Sequence, residues 1–448
     1  MKEFSIGIRA GHFLSMKGGL GEVKEDVFIG LKGAQIAEVV AYKAEHQKLC
    51  ARMVDASDQI VLPGLINGHT HLAMSLFRGF QDDVTFHEWL FNRIFPAEKK
   101  LVDESFVRIG TKLSALECIR FGTTTVNDMY FHSEVTAEVI DIAGIRAIIA
   151  WPFMDAPTPD EFHLGDQAVA SRPERFKAFF ESYRAHPRII PALGPHAPYT
   201  CGDGLIKMVT KMSKEYNVPV HMHVCETSAE IEESLAKYGK TPGKRLHDLG
   251  ALHSKFYAAH GVHLNEEEMQ YFKAAGASII YNPDSNLKLG SGIAPVTKFR
   301  GLGIPVALGT DGAASNNDLS LFGAMDLGTK LQKGMSRNNL AMVALDALNL
   351  ATYEGARALG LQSKIGSLEV GKHADLICLR TDFPHVNPLH SVLSQLVYSY
   401  QGLEVDTVIC EGKILLDKGT FTTLNAHETY GEAQIYRVHL KNLMTTLK

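Results

Sequence analysis

Cysteine is scarce and scattered. Six occur in 448 residues (Cys50, Cys118, Cys201, Cys225, Cys378 and Cys410), and no two form a Cys-x-x-Cys pair. That spacing argues against a thiolate zinc site and against a disulfide framework, which points to a reducing compartment. No apolar run approaches the roughly 18 residues that a membrane span needs, and the opening MKEFSIGIRAGHF lacks the continuous apolar stretch of a secretory leader. A dominant charge sign is missing too. Lys and Arg number 45 against 50 Asp and Glu, a net charge of −5 with the signs interspersed, so no basic stripe is offered to nucleic acid or anionic lipid. There is no internal repeat and no low-complexity segment. The expectation is a cytoplasmic enzyme or binding protein whose partners are small molecules, with neither nucleic acid nor membrane among them.

What the chain does have is a hydrophobic fraction of 45%, enough for one large domain and a smaller one. Short β-segments fill the first sixty residues: Phe4–Ile8, Val27–Leu31 and Gln35–Val40 around the Gly33 turn, and Gln59–Leu62. Eight apolar runs then alternate with amphipathic stretches, starting at 60–71 (IVLPGLINGHTH), 123–129, 146–154, 188–200, 218–227, 256–264, 277–283 and 305–315. Helices are expected between them at Glu104–Phe121, Asp203–Tyr216, Thr241–Leu249, Glu266–Ala275 and Ala294–Leu302. Eight strand–helix units make an α/β fold of the (β/α)8 TIM-barrel type. A doubly wound open sheet is the alternative, but no glycine-rich nucleotide fingerprint follows the first strand. After residue 370 β-texture returns at Ala374–Leu379, Val405–Glu411 and Lys413–Leu416. The simplest plan is a small β-sandwich domain built from both chain ends (1–61 and 371–430) around a barrel at 62–370. A C-terminal helix at 431–448 would cap the small domain.

Histidine is plentiful, at 20 residues, and two His-x-His pairs occur, His69/His71 and His221/His223. Roughly one such pair is expected by chance, so spacing alone decides nothing. Position is more informative. In a barrel the strand C-terminal ends carry the active site, and there lie His69 and His71 (strand 1), His196 (strand 4), His223 with Glu226 beyond it (strand 5), His260 (strand 6) and Asp311 (strand 8). Residues i and i+2 of a strand share a face, so His69 and His71 can aim at one point. With a third imidazole from strand 5 and the Asp311 carboxylate they form a set suited to Zn²⁺ or Fe²⁺. His221 and His223 lie on one face and either can be that third ligand. Glu226, just past the strand and able to reach a substrate held there, favours His223 and leaves His221 as a packed core histidine hydrogen-bonded within the barrel.

The stretches PGLINGHTHLAMSLFRG, FHEWLFNRIFPAE, GTTTVNDMYF, GPHAPYT, HMHVCET, AAHGVHL, NPDSNLKLGSGIAPV, GTDGAASNND and IGSLEVGKHADL, in this order, resemble the amidohydrolase superfamily. Within it the chain is most similar to the 5-methylthioadenosine/S-adenosylhomocysteine deaminases of the cytosine-deaminase and triazine-hydrolase-like branch. The resemblance covers nearly the whole chain. It implies one divalent metal per chain, Zn²⁺ or else Fe²⁺ or Mn²⁺, held by His69, His71, His223 and Asp311, with Glu226, His260 and Asp311 as catalytic groups. It implies hydrolytic deamination of a 6-aminopurine nucleoside, 5′-methylthioadenosine above S-adenosylhomocysteine and adenosine. A bound divalent metal supplies a nucleophilic water at neutral pH, and a carboxyl such as Glu226 protonates the ring nitrogen. A homo-oligomer is a further implication.

Among substrate contacts, the resemblance matches Glu98 to a ribose-holding carboxylate, His196 to a purine contact, Trp89 to an aromatic wall and Ser315 to a residue near the adenine; Glu226 and Asp311 also face the substrate. Each has a plain structural reading: a packing aromatic for Trp89, a solvated helix carboxylate for Glu98, a helix N-cap for Ser315. One position departs from the pattern. Where some relatives that handle S-adenosylhomocysteine place an arginine at the end of strand 3, this chain has Trp151, which cannot grip a carboxylate. An apolar pocket for the 5′ substituent is therefore expected. Strand 4 (RIIPALGPHAPYT) has no lysine to bridge two metals. An aminodeoxyfutalosine deaminase, a guanine deaminase, a triazine chlorohydrolase and a non-catalytic scaffold remain as alternatives.

Overall fold

The computed structural model describes residues 2–446. Two eight-stranded sheets organise it. The first is assembled from both ends of the chain: β1 (Phe4–Leu14), β2 (Val23–Lys32), β3 (Gln35–Ala41) and β4 (Cys50–Pro63) come from the N-terminal side. From the barrel come β5 (Leu65–Thr70), β6 (Thr123–Asp128), β7 (Arg146–Phe153), β8 (Ile189–Pro195), β9 (Val220–Val224), β10 (Phe256–His260), β11 (Ser278–Tyr281) and β12 (Val306–Leu308). The C-terminal side returns to the first sheet with β13 (Leu376–Arg380), β14 (Val405–Cys410), β15 (Lys413–Asp417) and β16 (Thr420–Phe421).

The barrel strands follow chain order from β5 to β12 and pair in parallel. Each falls inside one of the eight apolar runs, which are apolar because both faces of such a strand are covered. Between β12 and β5 the ring closes without a regular ladder. Asn67 bridges the gap, its Nδ2 donating to Thr310 Oγ1 (2.7 Å) and its Oδ1 accepting from Thr310 N (3.1 Å), while Asp311 N donates to His69 O at 2.9 Å. The closing contact thus joins two candidate site residues through their backbones. The barrel helices show their own start and stop signals. The helix Glu266–Ala275 opens on a capping box of Asn265 and Glu268 and ends at Gly276 in the left-handed region.

In the first sheet β4 is the joint: it pairs in parallel with β1 and antiparallel with β13. It runs from Cys50, nine residues earlier than the expected Gln59, because its first part alternates polar and exposed positions that read as a loop. Buried residues from both arms of the sheet, including Ile8, Ile29, Ile36, Leu376 and Ile409, form one cluster, so the sheet curls around a shared core. The arms meet at two turns. A Cβ on Gly412 would lie 1.9 Å from the Gly33 carbonyl oxygen, and both glycines have positive φ, so glycine is required there.

The C-terminal helix Ala426–Thr446 does not cap this sheet, contrary to expectation. It lies on the barrel helix Glu104–Arg120: Tyr436 packs edge-on to Phe106 with ring centroids 5.2 Å apart, Leu440 and Leu443 join the same cluster, and Lys112 pairs with Glu432 at 3.1 Å. The apolar stripe of the helix fits an apolar face on the barrel. Leu447 and Lys448, included in the expected helix, lie outside the described residues.

Candidate active site

Four side chains converge at the C-terminal mouth of the barrel. His69 and His71 sit at the end of β5, His223 within β9, and Asp311 just past β12. Asp311 Oδ1 lies 3.2 Å from His69 Nε2 and 3.3 Å from His71 Nε2. His71 Nε2 and His223 Nε2 are 3.2 Å apart. The other ring nitrogens show what this contact is. His71 Nδ1 donates to Met129 O, and His223 Nδ1 donates to His196 O at 2.7 Å. A neutral imidazole has one N–H, so both Nε2 atoms carry bare lone pairs and face each other at a hydrogen-bonding separation with no proton to share. A shared cation resolves that opposition. His69 adds to the argument: it is fully buried, its Nδ1 has no hydrogen-bond partner and its Nε2 meets the same Asp311 oxygen that His71 faces, an arrangement costly for a buried polar group unless something else binds it. The donor set of three imidazoles and one carboxylate fits a divalent metal.

Burial holds the His69 and His223 rings neutral, with lone pairs available. It lowers the pKa of His69 and pulls that of His223 well below the usual imidazole value; the neighbouring histidines push His223 further the same way. His221 is one layer deeper in β9, its ring 4.8 Å from that of His69. It was expected to be hydrogen-bonded within the barrel, but neither of its ring nitrogens has a protein partner. It packs edge-on against the His69 ring instead.

Around this centre stand groups suited to proton transfer. Glu226, two residues past β9, is buried, and burial together with the charges of Asp311 and Glu230 pushes its pKa well above the usual carboxyl range. Its backbone is pinned: Glu230, from the helix Ser228–Tyr238, accepts from Cys225 N at 3.0 Å and from Glu226 N at 2.8 Å. Cys225 is held at φ 53° in this turn, a conformation that a non-glycine residue adopts only when its surroundings impose it. His260 ends β10. Asn286 Nδ2 donates to His260 Nδ1 at 2.8 Å, so the proton of that ring sits on Nε2, 3.8 Å from Glu226 Oε2. His260 therefore presents an N–H to the centre where His71 and His223 present lone pairs. Ser285 Oγ donates to the second oxygen of Asp311 at 2.6 Å. Sequence reasoning passed over Ser285, Asn286 and Glu230, although the first two lie in the NPDSNLKL stretch.

A cavity opens from the centre. Its polar lining includes His71, His196, His223, Glu226, His260, Asp311 and Glu98; Trp89 and Ser315 also line it. Between them the walls are apolar, with Phe86, Leu90, Phe95, Phe131, Met154 and Leu289. No lysine or arginine lines it among the described residues. His196, beyond β8, is kept neutral by burial, its pKa pulled down to about 3, and its Nδ1 shares a hydrogen bond with Thr200 Oγ1 at 3.0 Å. Glu98 is buried, not a solvated helix carboxylate, and burial raises its pKa to about 8. Ser315 donates to Gly312 O at 3.0 Å within a turn and caps no helix.

Trp151 does not belong to this group. Its side chain points from β7 into the helix layer, against the Phe179 ring at 5.3 Å and under the Arg175 guanidinium. Strand alternation puts Pro152 and Met154 on the cavity side instead. The expected apolar wall is present, but Trp151 does not supply it.

Residues 60–415 match the profile of the amidohydrolase family. This protein is an amidohydrolase. Over 382 residues it is 41% identical to a 5-methylthioadenosine/S-adenosylhomocysteine deaminase of Caldanaerobacter subterraneus, covering 85% of this chain and 87% of that protein. It is 40% identical over 417 residues to a 5′-deoxyadenosine deaminase of Methanocaldococcus jannaschii, 92% and 95% of the two chains. The crystal structure of an adenosine deaminase from Xanthomonas campestris with bound zinc superposes with a TM-score of 0.94 at 34% identity, over 98% of this amidohydrolase and 99% of that chain. No helix among the described residues is long and apolar enough to cross a membrane.

Proposed function

We propose that this amidohydrolase deaminates a 6-aminopurine nucleoside with a small apolar 5′ group, converting 5′-methylthioadenosine to 5′-methylthioinosine and ammonia, and S-adenosylhomocysteine and adenosine more slowly. One observation carries the reading: a single cavity joins the His₃Asp centre and the proton-holding Glu226 to the buried Glu98, through apolar walls free of any cationic side chain. The named activities of the relatives support it. His69, His71, His223 and Asp311 would hold one divalent metal, Zn²⁺ by preference. Bound there, such an ion lowers the pKa of water to about 7 and supplies the nucleophile.

The residues of the chain do the rest. Water adds at C6, Asp311 Oδ1 takes its proton, and Glu226 delivers a proton to N1. The His260 Nε2–H orients the water, and Ser285 fixes the carboxylate of Asp311. The proton on Asp311 then passes to the amino group, which leaves as ammonia; the C6–OH becomes C6=O as its proton returns to Glu226, and both carboxyl groups end as they began. His196 meets the purine, Trp89 and Ser315 flank it, and Glu98 takes the ribose hydroxyls.

Ammonia release from 5′-methylthioadenosine, 5′-deoxyadenosine, adenosine, S-adenosylhomocysteine, guanine and triazines tests this. A kcat/KM for 5′-methylthioadenosine at least about tenfold above that for S-adenosylhomocysteine is expected, since nothing in the cavity pairs with a charged tail. A preference for S-adenosylhomocysteine overturns the 5′ assignment. Turnover of guanine or a triazine with none of any nucleoside overturns the whole reading. 5′-Deoxyadenosine is the second substrate that the apolar wall fits.

A further inference from the structure

Of the three histidines at the centre, two are held from behind and one is not. His71 Nδ1 donates to Met129 O and His223 Nδ1 donates to His196 O. Such bonds fix the orientation of a metal-binding ring and raise its basicity. His69 turns Nε2 toward Asp311, which leaves its proton on Nδ1, and no protein group accepts that proton. A fully buried N–H without an acceptor is costly. Other unmatched groups lie at the same depth of the barrel. His221 is fully buried with both ring nitrogens unpartnered, its ring 4.8 Å from that of His69. Asn127 donates to Gly68 O at 2.8 Å and Asn282 donates to His260 Nδ1 at 3.4 Å, yet the side-chain oxygens of both lack a donor. Asn282 Oδ1 lies beside His69: a Cβ on Gly309 would stand 2.4 Å from that oxygen and 2.9 Å from His69 N.

We propose that His221 is a positioning residue for the metal centre, orienting His69 through a buried water that accepts from His69 Nδ1 and bonds a His221 nitrogen. The unmatched groups are complementary in kind. His69 and His221 each bring one N–H, while the other nitrogen of His221 and the two amide oxygens accept. None of them is hydrogen-bonded to another, and a water, which both donates and accepts, completes the set. A buried water makes about three hydrogen bonds, so Asn127 Oδ1 or Asn282 Oδ1 takes the third. The inference rests on the metal-site reading above and adds to it the missing support of one imidazole; it requires nothing of the substrate. A ring that only filled the barrel would not need nitrogen, since phenylalanine packs edge-on against an aromatic ring equally well.

Zn²⁺ affinity, measured by competition with a chelator, is the first test. His221→Phe keeps the ring and removes both nitrogens, and is expected to bind Zn²⁺ about 10–100-fold more weakly than wild type. His221→Asn and His221→Gln each place an amide near where one ring nitrogen stood. At least one of them is expected to hold the metal within about threefold of wild type. An unchanged affinity in His221→Phe means that the ring only packs, and equal losses in all three variants mean that shape and not hydrogen bonding matters; either result overturns the proposal. The second test does not depend on how the variants fold. A high-resolution crystal structure of the Zn²⁺-loaded wild type is expected to show a water within about 3.2 Å of both His69 Nδ1 and a His221 nitrogen. Its absence, or a His221 nitrogen bonded to the metal itself, overturns the proposal. A wild type that retains no Zn²⁺ overturns the metal reading as well, whereas a loaded wild type beside an indifferent His221→Phe leaves that reading standing.

Discussion

A carboxyl that must give up a proton at neutral pH has to reach that pH still carrying it, and Glu226 does so by being buried beside two other acids. Glu226→Gln keeps the shape and removes the transferable proton. The expected outcome is a fall in kcat of about 10²–10⁴-fold with unchanged metal content by elemental analysis; normal turnover would remove Glu226 from the mechanism. Glu98 makes a second prediction at this scale. Its pKa of about 8 in the fold lies above the ordinary carboxyl value of 4.5, so the protonated form is the one the fold favours. The stability tied to that proton is full below about pH 4.5 and is lost as pH rises to about 8. Glu98→Gln, permanently neutral, should melt higher than wild type at pH 8, by on the order of 2–4 kcal/mol, and the gap should close toward pH 5. Thermal melts of the substrate-free protein across that range check it. Single residues were also where sequence reasoning slipped. Trp151 sits one position from the cavity wall, and in a strand one position is the opposite face. Glu98 and His196 line the cavity from recognisable motifs, whereas Ser285 and Asn286, inside an equally recognisable motif, carry no charge to single them out.

At the level of elements, the short helix Pro283–Lys288 serves the site twice: Ser285 braces Asp311 and Asn286 sets which nitrogen of His260 carries its proton. Groups that orient a ligand are worth about 10–100-fold in metal affinity. Ser285→Ala should therefore weaken metal retention by that order in a competition with a chelator, and lower kcat as well. Unchanged metal affinity would leave Ser285 with a packing role. The strands and several helices were legible in the sequence because burial on both faces leaves continuous apolar runs and caps leave polar punctuation. The first part of β4 was not legible, since its exposed polar positions look like loop until a partner strand is supplied. Nor was the resting place of the C-terminal helix. An apolar stripe tells that a helix is covered on one side but not by what.

Taken whole, the barrel is held at its mouth by residues from β5, β9 and the segment after β12, with the seam between β12 and β5 lying directly under them. A divalent ion shared by these segments would tie opposite walls together as well as serve chemistry. Removing it with a chelator should lower the Tm by several degrees, and adding back Zn²⁺ should restore it in a concentration-dependent way. No change in Tm would mean that the ion contributes nothing to the barrel's cohesion. The same wholeness was only half visible beforehand: both chain ends were expected in one β-unit, but not that β4 would run as a single joint between them.

That joint has a consequence in time. β4 is made early, yet its partner β13 follows about 300 residues later, which at about 5–20 residues per second is a delay of tens of seconds on the ribosome. Through that interval the nascent chain carries a long strand with one edge unpaired, the kind of edge that recruits other chains. The barrel has to be built while the edge waits. Only when the last stretch emerges, and the Gly412 turn comes to rest on Gly33, does the first-made end of the molecule find its own neighbour rather than someone else's.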